Sequence, residues 1–156
     1  MNRSAPGVPA AQDVKKLSDF LCFAVYSANL AFGKAYKPIL DELGLSYTQY
    51  IILVALSEED NQTVSGLGEK LFLESNTLTP ILKKMEASGY LSRQRDPANE
   101  RQVRIALTEA GRRLRERSLT SSLSIDTGLS GEEFSRIQGS VAGLRDNLLK
   151  AVKKRD

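Results

Sequence analysis

SNTLTPILKKMEASGYLSRQRDPANERQVRIALTEAG, from Ser75 to Gly111, changes periodicity twice, and those changes set the fold. Leu78, Ile81, Leu82 and Met85 recur at i, i+3, i+4 and i+7, the apolar stripe of one helix. Asn76, Thr77, Pro80, Lys83 and Lys84 are left on its outer side. Ser75 suits the N-cap because its hydroxyl can take an orphan backbone N–H, and Gly89 suits a left-handed end roughly three to four turns later. Beyond Gly89 the period falls to two. Leu91, Arg93 and Arg95 alternate with polar residues, and Val103, Ile105 and Leu107 alternate with Arg104 and Ala106, which predicts a β-hairpin. Its tip, Asp96 to Arg101, holds one proline and no bulky apolar residue, so it is expected to project into solvent with Arg101 near the end. Thr108 then caps a following helix, with Glu109 well placed in the first turn.

Upstream, Val64, Leu67 and Leu71 mark a second short amphipathic helix, separated from the first by Phe72, Leu73 and Glu74. Two short helices across a tight turn form a helix-turn-helix, here with no glycine in the turn, and the hairpin makes it winged. Earlier still, Leu17, Leu21, Ala24, Ala28, Ala31 and Ala35 follow a long helical period that Pro38 is expected to interrupt, leaving a second segment from Pro38 to Leu43 that ends at Gly44. A third helix is expected from Tyr47 to Leu56, with Tyr50, Ile51, Val54 and Ala55 inward. Ser130 and Glu133 form an S-x-x-E capping box, and Phe134, Ile137, Val141, Leu144 and Leu148 recur at 3, 4, 3, 4, a narrow seam suited to a partner helix.

The fold class is therefore mainly α with a small β-hairpin wing, a winged helix-turn-helix flanked by N- and C-terminal dimerisation helices. The expected organisation is a disordered segment over 1–12, rich in Ala, Pro and small polar residues; first, dimerisation helices over 13–62; the winged module over 63–107; and C-terminal dimerisation helices over 108–152.

The 156 residues, 41% hydrophobic, are enough to bury a core within one domain. A net charge of +3 is ordinary, but its placement is not. Lys83 to Arg117 carries ten Lys or Arg against five Asp or Glu, leaving twelve against fourteen elsewhere. Such a local surplus is the footprint of a phosphate-binding surface. With no histidine and one cysteine, zinc sites, histidine triads and internal disulfides are excluded, and no metal or cofactor is expected. No apolar run reaches membrane-spanning length and no signal pattern opens the chain, so a cytoplasmic location without membrane contact is expected.

These features predict double-stranded DNA as the partner. Ser75, Asn76, Thr77, Pro80 and Lys84 share the helix start and its outer face. Thr77 and Asn76 can reach base edges, and the Pro80 ring can pack on a thymine methyl. Lys83, Lys84, Arg93 and Arg95 are expected on phosphates, and Arg101 in a minor groove. A homodimer would offer two recognition helices to the halves of a pseudo-palindromic operator.

The helix-turn-helix, the wing motif R-x-R-D-P-A-N-E-R-Q-V-R-I-A-L-T-E-A-G and the flanking helices together resemble MarR-type winged-helix regulators over nearly the whole chain. Within that family, FLCFAVYSANLAFGKAYKPILDELGLSYTQY is similar to the sensor segment of OhrR-type repressors of organic hydroperoxide response. The resemblance implies a peroxide-sensing cysteine on the first helix and two tyrosines that hydrogen-bond its sulfur, at Cys22, Tyr36 and Tyr47. It also implies a homodimeric repressor, not an enzyme, whose partners are an operator, organic hydroperoxides and a small thiol. The chain departs from the pattern twice. Asn99 stands where such wings usually have the aspartate two residues before the arginine, here Arg101. Where some members carry a resolving cysteine between the last two helices, this chain has Ser118, Ser121, Ser122, Ser124, Thr127 and Ser130.

Ser18 as N-cap would put Cys22 in the first helical turn, where backbone dipoles favour an anion. On an unbroken helix Cys22 and Tyr36 lie about 21 Å apart, so a Tyr36 contact with the sulfur must come from a second subunit. Phe20, Phe23 and Tyr47 are expected to line the pocket, and Tyr26 to serve packing only. Two rival readings are a regulator that binds a small phenolic ligand with Cys22 structural, and a one-cysteine thiol peroxidase. No T-x-x-C precedes Cys22 to favour the peroxidase.

Overall fold

The computed structural model describes residues 16–120 and 125–155, so the predicted disordered stretch 1–12 and Ser121, Ser122 and Ser124 lie outside the described residues. The chain divides into two units, Met1–Leu123 and Ser124–Asp156.

In the first unit a single 3-10 turn, Leu17–Asp19, precedes helix α1, Leu21–Leu43. The expected N-cap Ser18 lies in that turn, and Phe20 caps α1 without a side-chain hydrogen bond. Pro38 removes one backbone donor but does not split the helix, so the separate segment predicted from Pro38 is the last part of α1. The ring fixes a φ that a helix accepts, and Lys37 and Asp41 pair across the same turn at 2.7 Å. Gly44, at φ 67, ends the helix as expected.

Helix α2, Tyr47–Glu58, opens on a capping box of its own: Gln49 N–H donates to Ser46 Oγ, and Ser46 N–H to Gln49 Oε1. Its inward residues are Ile52, Leu53, Ala55 and Leu56, whereas the predicted Tyr50, Ile51 and Val54 are half-buried. Apolar residues surround this helix, so its sequence does not single out one face. Strand β1, Gln62–Thr63, follows, then α3, Val64–Leu71, and α4, Ser75–Ala87.

The α3–α4 turn does without a glycine by holding Phe72 in the left-handed region, φ 58, while Leu73 N–H bonds back to Gly68 C=O at 2.9 Å. The glycine needed there is Gly68, one turn earlier, where a Cβ would stand 2.7 Å from Leu73 O. Ser75, expected at the cap of α4, is its first helical residue, and Glu74 holds the cap position without a side-chain bond. Leu78, Leu82 and Met85 are fully buried and Ile81 half-buried, as the stripe predicts. Gly89, at φ 82, ends the helix with Tyr90 N–H donating to Met85 C=O and Gly89 N–H to Glu86 C=O, a Schellman pair.

Strands β2, Leu91–Asp96, and β3, Asn99–Leu107, form the hairpin, and β1 adds to the far edge of β3 in an antiparallel sheet ordered β1-β3-β2. The tip is shorter than predicted. Asp96 pairs with Asn99 across Pro97 and Ala98, and Asp96 is buried instead of projecting. Helix α5, Glu109–Thr120, starts at Thr108, whose Oγ1 accepts Gly111 N–H and donates to Gly89 C=O. The core gathers Leu40, Leu43, Leu45, Ile52, Leu53, Leu56, Leu67, Leu78, Leu82, Met85, Leu91, Ile105, Leu107 and Leu114. Each fully buried leucine-sized side chain contributes about 1.5–3 kcal/mol relative to exposure. Leu114 of α5 belongs to this core, so α5 packs on the winged module through α2 and β3.

The second unit holds helix α6, Gly131–Lys153, with the predicted box at its start: Glu133 N–H donates to Ser130 Oγ and Ser130 N–H to Glu133 Oε2. Taken by itself, α6 leaves Phe134, Ile137, Val141 and Leu148 exposed.

Candidate nucleic-acid interface and sulfur site

Because Leu78, Leu82 and Met85 anchor one side of α4, the opposite side is held outward. Ser75, Asn76, Thr77, Pro80, Lys83 and Lys84 are all exposed. Pro80 has no N–H to offer Asn76 C=O, while Thr79 Oγ1 donates to Ser75 C=O at 2.7 Å. The wing stands beside the start of this helix. A cleft of about 250 Å³ is lined by Thr63, Ser65, Ser75, Thr79, Arg93, Arg101 and Gln102, among others, so Arg101 and Ser75 border one concavity.

The basic residues differ in availability. Arg95 and Arg101 are exposed. Arg93, expected on phosphate, is half-buried and its Nε donates to Glu86 Oε2 at 2.6 Å, which ties the wing to α4. Asn99 does not orient the Arg101 guanidinium in the described contacts; its Oδ1 accepts the Arg101 backbone N–H at 3.2 Å. Thr63 and Ser65 were missed by sequence reasoning. Thr63 caps α3 through Gly66 N–H at 3.0 Å, and that cap ahead of Val64 was the available signal. Gln102 carries no such signal, since its place follows from the hairpin's irregular register.

Cys22 is the second residue of α1 and is exposed, so it occupies the first helical turn despite the different cap. Tyr36 and Tyr47 come together, with ring centroids 5.4 Å apart, and Phe32 stacks on Tyr36 at 6.4 Å. Burial, followed by the phenols of Tyr47 and Tyr50, pushes the Tyr36 hydroxyl above its ordinary range. These rings border a cleft of about 380 Å³ with Asn29, Leu30 and Gly33.

Cys22 does not join the tyrosines within the chain. Helix α1 is continuous between Cys22 and Tyr36, and fourteen residues span about 21 Å. Phe20 and Phe23, predicted to share the Tyr47 pocket, are at the Cys22 end and do not line that cleft. Tyr26, assigned to packing, is exposed and touches only the Phe23 ring among the described ring pairs. Among the described residues no three His, Cys, Asp or Glu side chains stand together to hold a metal ion. No single described helix is long and apolar enough to cross a membrane.

A buried helix-turn-helix with an exposed second helix and an adjacent basic wing defines a DNA-binding winged-helix protein. The family model for the transcriptional regulator SarA/Rot matches residues 34–117, and the chain belongs to this family of MarR-like winged-helix transcriptional regulators, not to the enzymes. The HTH-type transcriptional regulator TtmR of Methylorubrum extorquens is 44% identical over 87% of this chain and 71% of its own length. The organic hydroperoxide resistance transcriptional regulator of Bacillus subtilis is 40% identical over 87% of this chain and 94% of its own. Among solved structures, reduced AbfR bound to DNA matches with a TM-score of 0.75 and 34% identity, over 87% of this chain and 94% of that one; AbfR is a Staphylococcus epidermidis protein.

Proposed function

We propose that this regulator is a homodimeric repressor that binds a pseudo-palindromic operator, senses organic hydroperoxides through Cys22 and releases DNA on oxidation. The observation that carries the reading is the separation of Cys22 from Tyr36 along one unbroken helix, with Tyr47 of α2 beside Tyr36 and each end left with exposed apolar neighbours: Leu21, Val25 and Tyr26 near Cys22, and Leu30 and Phe32 near Tyr36. An antiparallel second copy of α1 would bring one protomer's Tyr36 and Tyr47 to the other's Cys22 and cover both patches. The hydroperoxide regulator of Bacillus subtilis supports the same chemistry by its similarity.

In the reaction the Cys22 thiolate attacks one peroxide oxygen, the O–O bond breaks, an S–O bond forms and the alkoxide leaves as the alcohol. Sulfur loses two electrons and the peroxide gains them. With no second cysteine, a small thiol then displaces hydroxide as water and leaves a mixed disulfide. An apolar pocket favours alkyl over hydrogen peroxide by burying the tail. The added group disturbs the dimer contact that spaces the two recognition helices. Ser75, Asn76, Thr77, Pro80, Lys83, Lys84, Arg95 and Arg101 meet the duplex, with Arg93 contributing through its tie to Glu86.

A second reading, in which a small phenolic ligand is the signal and Cys22 is structural, draws on the aromatic cleft beside Tyr36 and Tyr47. Cys22→Ser decides between them. The substituted protein is expected to bind operator DNA as the parent does and to stay bound after cumene hydroperoxide, measured by gel shift with mass spectrometry on residue 22. Release of the serine variant by peroxide would overturn thiol sensing.

A further inference from the structure

We propose that Arg104 is a positioning residue for DNA binding: by joining Asp96 at the wing tip to the Asn61 carbonyl it fixes where Arg101 stands, without meeting DNA itself. The inference rests on the reading of Arg101 as a DNA contact.

The hairpin does not fix Arg101 through its ladder. Arg95 pairs with Val103, and the next pair is Asp96 with Asn99, so Glu100, Arg101 and Gln102 are extra residues on β3 with no cross-strand partner in the register. A bulge of this size leaves the direction of its residues to whatever holds the two ends. The lower end is secured by the sheet, since Arg104 lies opposite both Thr63 and Gln94. The upper end is secured by Asp96, whose Oδ1 accepts Ala98 N–H at 2.9 Å and whose Oδ2 accepts Arg104 Nε–H at 2.8 Å.

Arg104 carries that restraint out of the wing. Its Nη1 donates to the Asn61 carbonyl at 2.9 Å, forty-three positions earlier in the chain. That carbonyl is itself well held. Asn61 has φ 56, and its N–H donates to Asp60 Oδ1, which also accepts Leu107 N–H at the base of β3. The other Asp60 oxygen accepts Arg112 of α5 at 2.9 Å. One guanidinium thus ties the far end of a hairpin to a junction of α2, β3 and α5, and a charged, forked donor suits that task better than an ammonium.

Arg104 has spent Nε and Nη1 inside the protein, whereas Arg101 is exposed. A phosphate contact and a strut predict opposite outcomes at Asp96. Removing a carboxylate from a DNA-facing surface strengthens binding if charge alone matters, and weakens it if the carboxylate holds the wing.

The test is operator binding by fluorescence anisotropy over a range of salt for Asp96→Asn, Arg104→Gln, Arg101→Ala and the double variant Arg101→Ala with Arg104→Gln, with thermal melting as a check on folding. Expected are about tenfold weaker binding for each single variant, a salt slope lower by about one for Arg101→Ala, and a double variant no weaker than Arg101→Ala alone. Unchanged or tighter binding by Asp96→Asn, or additive losses in the double variant, would overturn the positioning role while leaving Arg101 as a contact. If Arg101→Ala binds as the parent does, the Arg101 reading fails and the inference falls with it.

Discussion

At Gly111 a methyl group has nowhere to go, because a Cβ there would lie 2.2 Å from Tyr90 O and 3.2 Å from a Leu107 methyl. The contact arises because Tyr90 C=O also accepts Thr108 N–H, which draws the start of α5 against the chain entering the wing. Gly111→Ala should therefore destabilise the fold by roughly 2 kcal/mol or more, seen as a lower denaturant midpoint, since one side of the collision is backbone. Individual positions were legible where local chemistry fixes them. Gly89, Thr108 and the Ser130–Glu133 pair were read correctly because caps act over three or four residues. Phe72 in a left-handed turn was not, because its conformation is imposed by the approach of Gly68 to Leu73, which involves the packing of two helices.

The elements followed the sequence wherever one periodicity dominated. The stripe on α4 and the alternation in β3 were both clear, and burial of Leu78, Leu82, Met85, Ile105 and Leu107 follows them. Helix α2 was placed but not oriented, since a helix apolar on most sides has little moment to read. Strand β1 was invisible because two residues carry no period. The wing tip differs from the expectation for another reason: Asp96 reads as a solvent residue, and its burial is offset by the Ala98 N–H together with Arg104, which the local sequence does not reveal as a partner. The Ala98 N–H and the Arg104 guanidinium hold the Asp96 carboxyl below the usual carboxylate range. A lowered value in the folded state means that this carboxylate supports the tip above the ordinary range and that the support is lost as pH falls through the lowered value. Amide protection factors at the tip, corrected for the pH dependence of intrinsic exchange, are expected to fall on acidification through that window in the parent, whereas Asp96→Asn should show low protection at every pH.

For the molecule as a whole, the order of elements was enough to give the winged-helix class, because short helices, a hairpin and a capped helix in sequence leave few arrangements open. The residues of the proposed sulfur site could be named from the sequence, but their places relative to one another could not. Tyr36 and Tyr47 stand together while Cys22 lies near the other end of α1, so one chain unites only the tyrosines. That division makes assembly the property to measure. Val25→Glu, in the uncovered part of α1, should shift the protein toward a monomer in sedimentation and weaken operator binding, with the winged module still folded by circular dichroism. An unaltered sedimentation coefficient would argue against a pairing through α1. Helix α1 buries Leu40 and Leu43 in the core but exposes Leu21, Val25 and Leu30, so its C-terminal half is anchored by its own chain while its N-terminal half is left open. Under the proposed pairing and sensing, a solitary protomer would leave the thiol-bearing half free to fray, and how much protein a cell makes would then bear on how sharply it hears an oxidant.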